Sequence, residues 1–134
     1  MTTAATPAVE LIDAVKRYGD AVALDHVSLT VRAGEFFCLL GPSGCGKTTT
    51  LNLVGGFIPL TSGTLRIDGA VVNDLPPHKR NVNTVFQGYA LFPHMTVEAN
   101  VAFGLKMDGI PGATARSRAA DALALVGQIG RAHV

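Results

Sequence analysis

Gly41, Gly46, Lys47 and Thr48 occupy the fixed positions of the pattern G-x-x-x-x-G-K-[ST] inside LLGPSGCGKTTTL, residues 39–51. Glycines reach positive φ and let a backbone approach an anion with no Cβ in the way. Successive N–H groups of such a loop form a nest for anionic oxygens. A helix starting near Lys47 adds its unsatisfied N–H groups and the positive end of its dipole. In that frame the Lys47 ammonium reaches the β- and γ-phosphates of a nucleotide, and the Thr48 hydroxyl ligates Mg²⁺. Four constrained positions match by chance in about one chain in a hundred of this length. Context therefore decides between this reading and a glycine-rich surface turn with a solvated lysine. An apolar run before the loop and a helix after it are the confirming arrangement, so the loop is expected to bind phosphate.

The surrounding elements must hold that loop. VELIDAVKRYG and ALDHVSLTV read as two strands turning at Gly19 and Asp20. In the second, Val27, Leu29 and Val31 alternate with His26, Ser28 and Thr30, while Leu24 falls out of phase. EFFCLL, apolar on both faces, predicts a strand buried inside a sheet, with Cys38 as a small buried hydrophobe. A helix is expected from Lys47 to about Val54, stopped by Gly55 and Gly56. SGTLRIDGAVVN reads as two short strands turning at Asp68 and Gly69, and VNTVFQ as a further strand. Between them Pro76 and Pro77 exclude regular structure from LPPHKRN. Thr96 reads as an N-cap, with Glu98 in the first turn and Val97, Val101 and Leu105 on one apolar face. A last helix carries Ala115, Ala119, Leu123 and Val126 on one face.

Length and composition narrow the classes. A chain of 134 residues fits one domain, and 48% hydrophobic against 16% charged residues describes a globular chain rather than a disordered one. A net charge of +1 gives no global field toward nucleic acid or anionic membrane. The first residues lack the pattern of a secretion leader, and no apolar run approaches a membrane span. The chain reads as cytosolic, with Cys38 and Cys45 as reduced thiols. Cys45 lies in the loop beside a helix N-terminus, a setting that makes thiols reactive. If the thiol is reactive in that way, its alkylation is expected to block nucleotide binding, and bound nucleotide to protect it. His78, His94 and His133 share no ligand spacing, and Lys79 and Arg80 read as a solvated face.

From about residue 9 onward the chain resembles the ATP-binding subunits of ABC transporters. The resemblance is carried by RYGDAVALDHVSLTVRAGEFFCLLGPSGCGKTTTL, TSGTLRIDG, LPPHKRNVNTVFQGYALFPHMTVEANVAFGL and ALALVGQIGRAHV, in that order. The stretches DLPPHKRNV and VFQGYALFPHMTV are most similar to importers of polyamines, ferric iron, thiamine and sugars. The resemblance implies an α/β P-loop NTPase fold, present here as the N-terminal portion of an ABC nucleotide-binding domain. That portion comprises an antiparallel β subdomain with the start of the RecA-like core, about residues 9–87. The start of a helical subdomain follows, about residues 88–134.

It further implies that Tyr18 stacks on adenine and that Ser43, Gly44, Cys45, Gly46, Lys47, Thr48 and Thr49 contact the phosphates of ATP. Thr48 and Gln87 would approach Mg²⁺, and the Gln87 amide can accept from and donate to metal-bound water at once. YALFPH, with Tyr89, Leu91, Phe92 and His94, would receive a transmembrane permease subunit of an importer, unless Leu91 and Phe92 simply pack under the helices. A second ATP-binding subunit is the implied dimer partner, with no nucleic acid, at the inner face of the cell membrane.

Hydrolysis in this family also needs an LSGGQ-type signature, a strand ending Asp-Glu and a switch histidine. No LSGGQ is present, and none of the ten acidic residues follows an apolar strand in the required way. Asp68 comes nearest, but Arg66 interrupts the run and Gly69 follows it. His133 lies too early to be the switch histidine. The chain is therefore expected to bind Mg-ATP and to hydrolyse it near background by itself. EFFCLL would meanwhile keep an unpaired apolar edge, open to aggregation. The alternatives are a non-catalytic nucleotide-binding module and a non-functional gene fragment.

Overall fold

The computed structural model describes residues 5–127. They form two units, one ending at Thr84 and the other beginning at Val85. The first unit is built on a four-stranded sheet of order β2-β1-β3-β4, antiparallel throughout. Its strands are β1 (Val9–Tyr18), β2 (Ala21–Val31), β3 (Ser62–Ile67) and β4 (Ala70–Val71), and one helix, α1 (Lys47–Gly55), packs on it. Both hairpin turns lie where the sequence puts them. Gly19 takes φ 58, and Asp68 and Gly69 take φ 50 and φ 81, the left-handed pair that matches strand twist.

Two bulges explain why Leu24 falls out of phase. In β1 an extra residue separates Leu11 from Ala14, and Asp13 there adopts φ 51. In β2 the compensating extra residue lies between Leu24 and Val27, with His26 at φ 48. The His26 Nδ1 lies 2.7 Å from Asp13 Oδ1, and the Asp13 N–H donates to the Ser28 hydroxyl. On the other side of β1, a Cβ at Gly63 would strike the Asp13 carbonyl, so β3 needs a glycine where it passes the bulge. The alternation is reset, and Leu24 turns into the core opposite Lys16. That core joins Leu11, Ala14, Leu24, Leu65 and Ile67 of the sheet to Leu53 of α1 and to Val72.

Helix α1 starts and stops as expected, with Gly46 at φ 92 before it and Gly56 at φ 81 after it. Its last turn corrects one expectation. Arg80 is not on a solvated face; it is buried, and its guanidinium donates to Leu53 O (2.8 Å), Val54 O (3.3 Å) and Leu75 O (2.8 Å). The open carbonyls at a helix C-terminus, where the dipole is negative, make this the favourable place for a cation. Pro77–Lys79 form one short 3₁₀ turn that carries the chain to it.

Two expected strands are absent. Residues 35–40, EFFCLL, and residues 82–87, VNTVFQ, belong to no ladder among the described residues. Phe36 is 92% and Leu40 93% exposed, and Cys38 is exposed rather than buried. A strand exists only through a ladder of hydrogen bonds to a neighbour, and no such ladder includes either stretch among the described residues.

The second unit pairs α2 (Val97–Met107) with α3 (Gly112–Leu125). Thr96 caps α2 by accepting from the Ala99 N–H, with Glu98 in the first turn. The contact is made by Ala102, Ala115 and Ala119, with Leu105 and Ile110 beside them. The apolar face of α2 is thus centred on Ala102, and Val101 is exposed. Ala115, Ala119 and Leu123 are buried as expected, whereas Val126 lies outside α3 and is exposed. Small side chains let the helices approach closely, and that closeness selects the alanine stripe over the valine. His133 lies outside the described residues.

Candidate phosphate-binding site

The loop of residues 41–46 is held between β2 and α1. A Cβ at Gly46 would lie 2.9 Å from Ala23 O and 3.0 Å from Leu24 Cδ1, and the residue sits at φ 92. Only glycine satisfies both conditions. At the loop's start, a Cβ at Gly41 would lie 2.5 Å from Cys45 Sγ, so the thiol closes over Gly41. The helical ladder begins with Thr50 N–H to Gly46 O at 2.9 Å, and the Thr50 hydroxyl also donates to Gly46 O. The N–H groups of Lys47, Thr48 and Thr49 precede that ladder.

Ser43, Gly44, Gly46, Lys47, Thr48 and Thr49, with Ala23 as the wall, surround a cavity of about 350 Å³. Hydroxyls, an ammonium and the start of a helix converge there. The Lys47 ammonium donates to Gly41 O and, at 3.1 Å, to Pro42 O, so it is folded against the loop it would leave on meeting a phosphate. A larger cavity of about 690 Å³ lies beside it, among Val9, Leu29, Val31, Phe36, Leu51 and Val54. Lys47 and Thr48 line it too, with Glu35 and Thr50, but its wall is mainly apolar, and the smaller cavity is the one an anion fits. The same donor set fits Mg²⁺ only in part: Thr48 offers a hydroxyl at the cavity, and no cluster of acidic or histidine ligands exists among the described residues.

Tyr18 ends β1 and is 52% exposed, with the Lys16 ammonium 4.9 Å from its ring centroid. Its partner across the hairpin is Ala21, two residues before the Ala23 that walls the cavity. The cavity gathers Ser43, Gly44, Gly46, Lys47, Thr48 and Thr49 of the residues named from the sequence, while Cys45 and Tyr18 are not among those that line it. Gln87 is exposed, belongs to no strand and lies in the second unit. Sequence reasoning missed Ala23 and Lys16; the only signal for Lys16 was its place two residues from Tyr18, on the same face of a strand.

A glycine loop that runs straight into a helix, with lysine and threonine at the helix start, carries the P-loop NTPase pattern, although the strand expected before it is absent among the described residues. The family model for ABC transporters matches residues 24–134, and the chain belongs to the ABC transporter family. It is 57% identical over 119 residues to the spermidine/putrescine import ATP-binding protein PotA of Roseobacter denitrificans. It is 53% identical over 130 residues to PotA of Acidothermus cellulolyticus. These matches cover 89% and 94% of this chain but 33% and 34% of the relatives, so the chain spans about a third of their length. Among solved structures, a dimeric bacterial ABC transporter cassette superposes with a TM-score of 0.81 at 31% identity, over 93% of this chain and 60% of that one. A dimeric ATP-binding cassette bound to ADP and Pi gives 0.79 at 31% identity, with the same coverage. No helix among the described residues is long and apolar enough to cross a membrane.

Proposed function

We propose that the chain is the nucleotide-gripping part of an ATP-binding subunit that energises an ABC import system. Polyamines are the substrate class suggested by the relatives' names. The observation that carries the reading is the 350 Å³ polar cavity in which Ser43, Lys47, Thr48 and Thr49 converge at the start of α1. In this reading the loop N–H groups and Lys47 neutralise the phosphates, and Tyr18 stacks on adenine. The Thr48 hydroxyl would help hold Mg²⁺, which Gln87 would approach, and the ion would supply screening of the phosphate charge. Residues 9–87 serve as the β subdomain and phosphate-loop core, and residues 88–134 open the helical subdomain.

The partners are transmembrane permease subunits and a second ATP-binding subunit, at the cytoplasmic face of the membrane. The permease surface is YALFPH. Tyr89 and Leu91 are 73% and 69% exposed there, while Phe92 packs on Phe103 at 4.6 Å between ring centroids. The Asn100 side chain binds the backbone of Phe92, Met95 and Thr96 and holds that segment in one shape.

Titration calorimetry tests the binding. Mg-ATP is expected to bind the chain, and Lys47→Ala to weaken binding at least about tenfold, the scale of losing a charge-assisted contact. Alkylation of Cys45 is expected to block binding, and Mg-ATP to slow the alkylation. Phosphate release by these 134 residues should stay at background. Equal ATP affinity in wild type and Lys47→Ala would remove the loop from the reading.

A further inference from the structure

We propose that Lys16 is a positioning residue for the Tyr18 ring, fixing the face on which a nucleotide base stacks; this rests on the adenine-stacking reading of Tyr18. Lys16 is 8% exposed, unusual for a lysine, and its ammonium donates to Pro59 O at 2.8 Å while lying 4.9 Å from the Tyr18 centroid. Among the described residues its charge meets that carbonyl and the ring, and no carboxylate pairs with it. Side chains two apart on a strand share a face, so β1 places cation and ring together by its pleat.

The end of β1 is itself clamped. The Thr61 N–H donates to Val15 O and the Arg17 N–H to the Thr61 hydroxyl, both at 2.9 Å. Residues 59–61 therefore fix Lys16 from one side while Tyr18 stays half exposed on the other. An exposed tyrosine held by nothing samples several rotamers. An ammonium anchored over one face selects an orientation and occupies that face, so a planar base has the opposite one. The cation also draws on the ring's π density, which favours stacking with an electron-rich purine. Register agrees: Tyr18 pairs with Ala21, and Ala23, which walls the phosphate cavity, follows two residues on in β2, where a further bulge faces Lys16 and Arg17.

The test compares Mg-ATP with Mg-tripolyphosphate, which has the phosphates and no base, by calorimetry. Lys16→Met keeps the apolar stem and removes the charge. It is expected to weaken ATP binding about three- to tenfold and leave tripolyphosphate unchanged. Lys16→Arg should restore most of the ATP affinity. In a Tyr18→Ala background, Lys16→Met should cost nothing further. Lys16→Gln, which keeps a donor for Pro59, gives the same reading if the methionine variant melts early. Unchanged ATP affinity in Lys16→Met and Lys16→Gln overturns the proposal, and so does an equal loss for ATP and tripolyphosphate, which marks a merely structural lysine. If Tyr18→Ala leaves ATP affinity unchanged, the adenine-stacking reading fails and the role of Lys16 falls with it.

Discussion

Asp13 and His26 hold positive φ at two of the bulges between β1 and β2, and their side chains meet at 2.7 Å. The hydrogen bond to Asp13 is the main cause that raises the His26 pKa above its ordinary 6.5, followed by the Asp13 charge. Asp25, 3.8 Å from the ring, acts in the same direction, and the Arg17 charge acts against it. A raised folded-state pKa means the protonated imidazole stabilises the fold fully below about pH 6.5, and that contribution is lost as pH rises through the raised value. Urea midpoints should therefore fall between pH 6 and pH 8.5 in the wild type. His26→Asn tolerates the left-handed backbone and carries no titratable ring, so it should lose that part of the slope. A variant with the same pH slope as the wild type would place the dependence elsewhere.

Helix α1 joins the loop to the core, and its C-terminus is where it is secured. Gly56 ends it at φ 81, and a Cβ there would lie 2.7 Å from Arg80 Nε. The guanidinium occupies that space to reach the last carbonyls. Burial lowers the Arg80 pKa, yet arginine stays charged at every practical pH. Arg80→Ala leaves the carbonyls it served without their donor and should cost about 2–3 kcal/mol in chemical denaturation. Arg80→Lys should recover only part, since one ammonium cannot match a planar fork. Gly56→Ala should destabilise as well, through both its φ and the clash. A loss under about 0.5 kcal/mol in Arg80→Ala would mean the carbonyls are satisfied otherwise.

At the scale of the molecule, apolar surface is exposed around the loop. Phe36 is 92%, Leu40 93% and Leu51 58% exposed, beside the 690 Å³ apolar cavity. Contiguous apolar surface of this kind drives association in solution. The chain should scatter light as its concentration rises, and Phe36→Ser should reduce that scattering while leaving Mg-ATP affinity unchanged. Equal scattering from both proteins would show that another surface drives association.

The phosphate loop, the hairpin turns and the helix caps were legible in the residues because local chemistry fixes them: glycine where φ is positive, Thr96 where an orphan N–H needs an acceptor. Tyr18 and the loop glycines were named from a family pattern, and the geometry added the register in which Tyr18 pairs with Ala21. What the residues alone mislabelled depends on distant neighbours. EFFCLL has a strand's composition, but pairing needs a partner, which only the tertiary arrangement supplies or withholds. Arg80 looks like any charged loop residue until the end of α1 arrives beside it. Leu24 breaks its pattern until Asp13 and His26 bulge together. Short-range hydrogen bonding and backbone sterics act within a few residues, so sequence determined the turns, the caps and the phosphate loop. Burial and strand pairing act between segments far apart in the chain, so only the tertiary structure decided which side chains are inside and what holds Tyr18.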